Sequence, residues 1–165
     1  MSVTSIDKDP NALTMTVTAH LDATVDRAWQ LWADPHQFER WWGPPGYPTT
    51  VVDHDLRAGG RITFYMSGPE GDRHDSTWDV LAADPPQHLE LRDADVDTDG
   101  VPNDGNAMTA MVITFDAAES GGTEMVIRTH FDSLAGMEHV LAAGVEEGMA
   151  MVIDQIDAAL AGAAT

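Results

Sequence analysis

Six segments between residues 50 and 131 alternate apolar and polar residues with a period of two, which is the pattern of half-buried β-strands. Short turns such as Ala58-Gly59-Gly60 and Ser120-Gly121-Gly122 separate them, so successive strands are expected to pair in an antiparallel meander. A seventh segment with the same alternation precedes them. The pattern predicts an antiparallel sheet of about seven strands, at residues 13–21, 50–56, 61–67, 76–82, 88–92, 108–115 and 124–131.

Residues 133–163 have a different period and predict a single long amphipathic helix that begins after an N-cap at Ser133. Gly144 and Gly148 lie one turn apart at or near its apolar face, where each glycine costs about 1 kcal/mol relative to alanine. Either the helix approaches the sheet closely there, or the space beside it is kept open for a ligand. The apolar face consists of Leu134, Met137, Leu141, Val145, Met149, Val152, Ile156 and Leu160.

Two short helices are expected between the first strand and the other six. Asp22 and Thr24 are candidate N-caps for the first, which ends at Ala33 before the Asp34-Pro35 break. The second covers residues 36–41. The segment that follows, at residues 41–48, is rich in Gly and Pro and is expected to be a loop.

These elements predict an α+β domain in which a curved antiparallel sheet wraps around the long C-terminal helix, since that arrangement buries the apolar face of each. A chain of 165 residues suits one domain, which we place at residues 11–163. Residues 1–10 are expected to be a disordered tail.

The composition restricts the partners of the protein. With 28 acidic and 8 basic residues the formal net charge is −20, which disfavours nucleic acid and anionic membrane surfaces. The sequence has no cysteine and no stretch typical of export or membrane insertion, so a cytoplasmic protein is expected. No motif for a cofactor or for hydrolytic or nucleotide chemistry is found, and we expect neither a cofactor nor an assigned catalytic residue.

Five short motifs occur together and in register: D-A-x-V-x-x-A-W from Asp22, Trp41-Trp42-Gly43-Pro44, D-L-R-x-G-G-R from Asp55, Asp84-Pro85-Pro86 and Glu147-Gly148-Met149. Over residues 11–163 the chain resembles the homologues of the activator of the 90-kDa heat-shock protein ATPase, in the START-like (SRPBCC) superfamily. The resemblance implies a helix-grip fold, as in the birch-pollen allergen, with an apolar cavity between sheet and C-terminal helix. Met149 departs from the tryptophan usual in that family.

The candidate ligand-binding residues follow from strand phase, since the apolar side of each strand should face the helix. Nine methionines in the sequence favour an adaptable apolar pocket, although packing in the core is the alternative for each of these side chains. The candidates on strands and helix are Phe64, Met66, Trp78, Leu91, Met111, Ile127, Leu141, Val145 and Met149.

Three further candidates come from residue type. Trp41 and Trp42 could grip a ligand at the mouth of the cavity, with an indole N–H at its rim; alternatively, one of them anchors the short helix. His54 shares the phase of Val52 and Leu56, so it is expected to point inward, either as a titratable pocket group or as a hydrogen-bonded core residue.

One acidic segment resembles a calcium loop. Asp95, Asp97 and Asp99 have the spacing of the start of an EF-hand, but Asn106 stands where a bidentate glutamate is needed and Pro102 interrupts the loop. We interpret residues 93–106 as an acidic hairpin loop and expect no metal site.

The function predicted from these observations is the binding of an apolar or aromatic small molecule between sheet and C-terminal helix. The first alternative is an enzyme in which a pocket histidine or carboxylate performs acid–base chemistry, as in polyketide cyclisation by distant superfamily members. The second is a co-chaperone or stress-related interaction domain, as the family name implies. A second copy of the chain, as a homodimer, is a further partner to consider.

Overall fold

The computed structural model describes residues 3–43, 46–93, 108–131, 133–142 and 144–163. Eight strands and four helices follow one another along the chain. The strands are β1 (Val3–Asp9), β2 (Thr14–Leu21), β3 (Thr49–His54), β4 (Arg61–Ser67), β5 (Arg73–Asp84), β6 (His88–Asp93), β7 (Met108–Ala117) and β8 (Thr123–Phe131). The helices are α1 (Val25–Ala33), α2 (Pro35–Trp41), α3 (Leu134–Ala142) and α4 (Val145–Ala163).

All eight strands form one antiparallel sheet in the order β1-β2-β8-β7-β6-β5-β4-β3. Residues that stand opposite each other in register share a face, and the pairs Val17–Ile127, Ile127–Ile113 and Ile62–Trp78 show that the alternating apolar residues share one inner face. The predicted α+β class and helix-grip fold are confirmed, with eight strands instead of about seven.

The prediction that residues 1–10 form a disordered tail is wrong for residues 3–9, which form β1 and pair with β2. A bulge between Val3 and Ser5 sets Val3 opposite Ala19 and Ile6 opposite Val17, so both apolar residues reach the inner face although three positions separate them. The Lys8 ammonium lies 3.2 Å from Glu146 in the first turn of α4. A search for a strict two-residue period misses such a strand.

The prediction of one continuous helix over residues 133–163 is also wrong. Ser133 does cap α3, because its hydroxyl accepts from the N–H of Gly136 at 3.0 Å. The helix ends at Ala142, and Gly144 follows with a φ of +91°, a left-handed conformation that ends many helices. Gly144 is therefore required by the break between α3 and α4 and not by a close approach to the sheet.

The two short helices are joined at Asp34. Thr24 caps α1 as predicted, since its hydroxyl accepts from the N–H of Arg27 at 3.2 Å. The N–H of Asp34 donates to the carbonyl of Gln30, and its carboxylate accepts from the N–H of His36 at 2.9 Å. Asp34 is thus both the C-cap of α1 and the N-cap of α2.

The edge strand β3 contains a bulge and a side-chain cap. The register shifts between Val51 and Asp53, so Val52 is 55% exposed while His54 stands opposite the buried Ile62. His54 therefore faces inward as predicted, although Val52 does not share its phase. The carboxylate of Glu39 on α2 accepts from the backbone N–H of Val51 at 2.7 Å.

The core lies between the inner face of the sheet and the helices. The helix α4 packs against α2, α3 and β1, and α3 packs against β8. Val152, Ile153, Ile156 and Ala159 form the buried side of α4. Within the described ranges, none of the helices is long and apolar enough to cross a membrane.

Candidate functional site

The structure divides the predicted site residues by exposure. One group is buried in the core: Trp41, Phe64, Trp78, Leu91 and Ile127. A second group is only partly buried: Trp42, His54, Met66, Met111, Leu141 and Met149. Val145 begins α4, and its side chain lies outside the described residues.

Six aromatic rings form a continuous cluster at one end of the inner face, which we call the aromatic end. Trp32 meets Trp41 edge to face at 4.9 Å between ring centroids, and Trp78 meets Phe64 in the same way at 4.9 Å. The Phe38 ring stacks on Trp42 at 5.4 Å with 17° between their planes. The members are Trp32, Phe38, Trp41, Trp42, Phe64 and Trp78.

Trp41 lies inside this cluster as the anchor of α2. Its ring is fully buried, and its indole N–H donates to the carbonyl of Leu31 at 2.9 Å. The expected N–H at the rim of a ligand site is therefore not found at Trp41, because α1 accepts it. Trp42 is the C-cap of α2 and keeps part of its ring exposed, so it is the tryptophan of the pair that a ligand can reach.

The chain that leaves α2 is held by side chains on two other elements. Gln155 on α4 donates to the carbonyls of Trp41 and Gly43, at 2.8 and 2.7 Å. Thr49 at the start of β3 donates to the carbonyl of Trp42 at 2.7 Å. These bonds fix the position of Trp42 between α4 and the sheet.

His54 contacts the aromatic end through the backbone. Its Nε2 lies 2.9 Å from the carbonyl oxygen of Trp32. A carbonyl only accepts, so Nε2 carries the proton and Nδ1 of the neutral ring keeps a lone pair. This bond fits the alternative of a hydrogen-bonded residue, and it also orients a nitrogen that can accept a proton.

Apolar side chains next to the core are incompletely covered at several positions outside the aromatic end, and we call these positions the open wall. Met111 stands in register with Leu91, which places it on the inner side of β7, yet it is only partly buried. Leu141 on α3 and Met149 on α4 pack against the core with part of each side chain exposed. The open wall consists of these three side chains and Gly148.

Gly148 shows where the wall is open. It lies four and eight residues before the buried Val152 and Ile156, so it faces the same way as they do. A Cβ atom built at Gly148 would meet no atom of the described structure within 4 Å. Of the two explanations offered by the sequence, open space beside the helix is therefore the one that fits Gly148.

Sequence reasoning missed several residues that shape this region. Trp32 and Phe38 link α1 and α2 to the sheet through ring contacts, whereas the sequence showed only an apolar helix face. Gln155 and Glu39 bind backbone groups on other elements, and neither belongs to a recognisable motif. Only the tertiary structure brings these partners together.

The described part of the chain contains no group of three or more His, Asp or Glu side chains that could hold a metal ion. The calcium-like segment with Asp95, Asp97 and Asp99 lies outside the described residues. The described candidate residues contribute aromatic rings, thioethers and a few fixed polar groups.

Comparisons with solved structures agree with this architecture. Protein Ms6760 from Mycobacterium smegmatis is 41% identical, with a TM-score of 0.85 over 98% of this chain and 99% of that one. A protein from Arthrobacter aurescens, solved by NMR, is 39% identical, with a TM-score of 0.89 over 98% of this chain and 93% of the other. An AHSA1-like protein from Aeromonas hydrophila shares the fold at 22% identity, with a TM-score of 0.70 over 92% and 94% of the two chains.

Among curated proteins none matches the sequence. The model of one family, described as Activator of Hsp90 ATPase homolog 1-like protein, matches residues 22–161. This range contains both the aromatic end and the open wall. With two solved structures near 40% identity over almost the whole chain, the match shows that the protein belongs to the Activator of Hsp90 ATPase homolog 1-like family.

Proposed function

We propose that the protein binds a neutral apolar or aromatic small molecule between the sheet and α4. The observation that carries the proposal is the open space beside Gly148 on the buried side of α4. A glycine inside a helix costs about 1 kcal/mol relative to alanine, and no contact in the described structure requires it there. Space for a ligand gives this residue a function.

The lining supports the same proposal. Met111 and Met149 are flexible and polarisable side chains that adapt to irregular ligands. Trp42 adds a flat, partly exposed ring, held in position by the bonds to its own carbonyl and to that of Trp41. Small-molecule sites commonly combine such an apolar lining with few polar groups.

The charge of the protein restricts the ligand. A formal charge of −20 repels anions and lowers their concentration near the protein, so a neutral ligand is expected to bind better than an anionic one of the same shape. The partly exposed apolar residues at the site favour rings and hydrocarbon over strongly polar groups.

The test is a fluorescence titration with N-phenylnaphthylamine, a neutral probe that brightens in apolar surroundings. The wild type is expected to bind it, and Gly148→Phe, which fills the space, should weaken binding by at least about tenfold. Gly148→Ala is the matched control, because a methyl group leaves most of the space open. Absence of binding by the wild type, or equal binding by Gly148→Phe, would contradict the proposal.

A second candidate function is acid–base catalysis by His54. The observation that favours it is the bond from Nε2 to the carbonyl of Trp32, which leaves Nδ1 as a positioned proton acceptor. Native mass spectrometry of the purified protein would identify any ligand carried through purification. Recovery of that ligand chemically unchanged after incubation favours binding alone, whereas conversion that depends on pH and is lost in His54→Ala favours catalysis.

A further inference from the structure

The side chain of Trp32 contains a buried polar group that the fold does not use. Trp32 is 1% exposed, and its indole Nε1 has no hydrogen-bond partner among the described residues. An N–H group that is removed from water and left unpaired loses its hydrogen bond to solvent without replacement, which makes such groups rare in folded proteins.

Trp41 provides a direct comparison within the same cluster. The two rings touch at 4.9 Å and are equally buried, but the N–H of Trp41 is accepted by the carbonyl of Leu31. Among the described residues, the N–H of Trp41 therefore has an acceptor and the N–H of Trp32 has none. The backbone carbonyl of Trp32 accepts a hydrogen bond from Nε2 of His54. The polar group of Trp32 that lacks a described partner is therefore its indole N–H.

The position of Trp32 connects this donor to the proposed site. Its ring lies 6.1 Å from that of Trp42, the partly exposed member of the aromatic end. Its backbone binds His54, which is also partly exposed and faces inward. Residues that a ligand can reach thus flank Trp32 on two sides.

We infer that the ligand carries a neutral hydrogen-bond acceptor, such as a ketone, ether or amide oxygen, which receives the indole N–H of Trp32. The inference rests on the proposed function and makes it more specific: the ligand is an apolar or aromatic molecule with an acceptor at the end that enters between Trp32 and Trp42. A neutral acceptor also suits the negative charge of the protein, since a carboxylate or phosphate would be repelled.

The principal rival partner for this N–H is the face of the Trp41 ring. The two rings meet at 68°, a geometry in which an N–H can point at an aromatic face. Such a contact is weaker than a hydrogen bond to oxygen and would persist when a ligand binds. The two partners therefore predict different responses of the Trp32 N–H to a ligand oxygen.

The test compares two neutral probes of nearly the same shape, methyl naphthyl ketone and isopropenylnaphthalene, in which a methylene group replaces the ketone oxygen. The ratio of their dissociation constants is measured for the wild type and for Trp32→Phe, so that the unequal hydration of the probes cancels. Loss of the N–H is expected to shift the ratio against the ketone by about three- to tenfold. Trp29→Phe removes an indole that contacts Phe115 and lies outside the cluster, and it should leave the ratio unchanged.

A second measurement avoids substitution and so remains decisive if Trp32→Phe does not fold. In the indole ¹H–¹⁵N spectrum of the wild type, the ketone should move the Trp32 N–H resonance downfield, and isopropenylnaphthalene should not. An unchanged ratio in Trp32→Phe, or a Trp32 resonance that responds equally to both probes, overturns the inference and leaves the proposed function standing. If neither probe binds a wild type that does bind N-phenylnaphthylamine, the inference fails and the proposed function stands; if none of the three binds, both fail.

Discussion

The aromatic end and the open wall arise from the same strand and helix pattern, yet they differ in how completely they are packed. At the aromatic end, flat rings interlock and Trp41 is fully buried with its N–H satisfied. At the open wall, Met111 and Met149 remain partly exposed, and a Cβ atom built at Gly148 would meet no described atom within 4 Å. Both regions have apolar residues in the inward phase of their strands and helices. The comparison therefore teaches that this phase alone does not distinguish a packed core from a binding site. The two regions differ in the shape of their side chains and in the hydrogen bonds that hold those side chains in position.

The largest effect is expected from removing a ring at the aromatic end. Trp41→Ala should lower the free energy of unfolding by about 3–5 kcal/mol, because it leaves a cavity and an unpaired carbonyl at Leu31. Met149→Ala at the open wall should cost no more than about 2 kcal/mol, since part of that side chain is already exposed. Urea unfolding followed by far-ultraviolet circular dichroism measures both. Equal losses in the free energy of unfolding would remove the distinction between the aromatic end and the open wall.

A smaller effect is expected from the link between α4 and the aromatic end. Gln155→Ala removes the donors to the carbonyls of Trp41 and Gly43 and should lower the free energy of unfolding by about 1–3 kcal/mol. The exposed Asp154 on the same helix provides the control, and Asp154→Ala should cost less. If Gln155→Ala is as mild as the control, the position of Trp42 does not depend on α4.

The two glycines near the start of α4 should respond in opposite directions. Gly144→Ala should destabilise the protein by about 1–2 kcal/mol, because its φ of +91° is unfavourable for a residue with a Cβ. Gly148→Ala should stabilise the protein by up to about 1 kcal/mol, since the new methyl group meets no described atom and alanine favours the helix. Thermal melts of the pair measure the difference. Destabilisation by Gly148→Ala would mean that the open wall is already filled.

The smallest effect concerns Asp34, which joins α1 and α2 beside the aromatic end. Burial raises the pKa of its carboxyl, but hydrogen bonds from the Gln37 side chain and from the N–H groups of His36 and Gln37 outweigh this, so the pKa lies below its ordinary value of 3.8. The charged form therefore stabilises the fold above pH 3.8, and this contribution is lost as the pH falls through the lowered pKa.

Asp34→Asn keeps an oxygen for the cap and removes the charge, so it isolates this contribution. The wild type should be more stable than Asp34→Asn at neutral pH by at most a few tenths of a kcal/mol, because Asp34 is only partly buried and solvent screens its charge. The difference should vanish in acid. Urea midpoints between pH 2 and pH 7 test this, and a difference that grows in acid would contradict the stated direction of the pKa.

The sequence predicted those parts of the fold that depend on regular periodicity. The inner phase of β4 to β8 was correct because these strands bury one face, which makes the alternation strict. The prediction from periodicity failed at bulges, since one extra residue reverses which side chains of the following segment face inward. This is why β1 was missed, and why Val52 was assigned the wrong side although His54 was assigned the right one.

The candidate site was predictable only in part. Residue type and phase selected Met111, Leu141 and Met149 as ligand-binding candidates, and in the structure all three pack against the core with part of each side chain exposed. The same reasoning selected Trp41, which is sealed in the core, and passed over Trp32. Whether an indole N–H finds an acceptor depends on which carbonyl lies opposite, and that is a property of the packed structure.

The bond between Glu39 and Val51 has a consequence for association between molecules. An outermost strand offers its unused amide groups to any extended peptide that comes near, and so invites assembly into larger sheets. At β3 the backbone N–H of Val51 already donates to the carboxylate of Glu39. A peptide that paired with β3 there would have to displace this carboxylate, which would then lose its hydrogen bond. Growth of the sheet by a neighbouring copy is therefore disfavoured on that side, which leaves β1 as the other edge of the sheet.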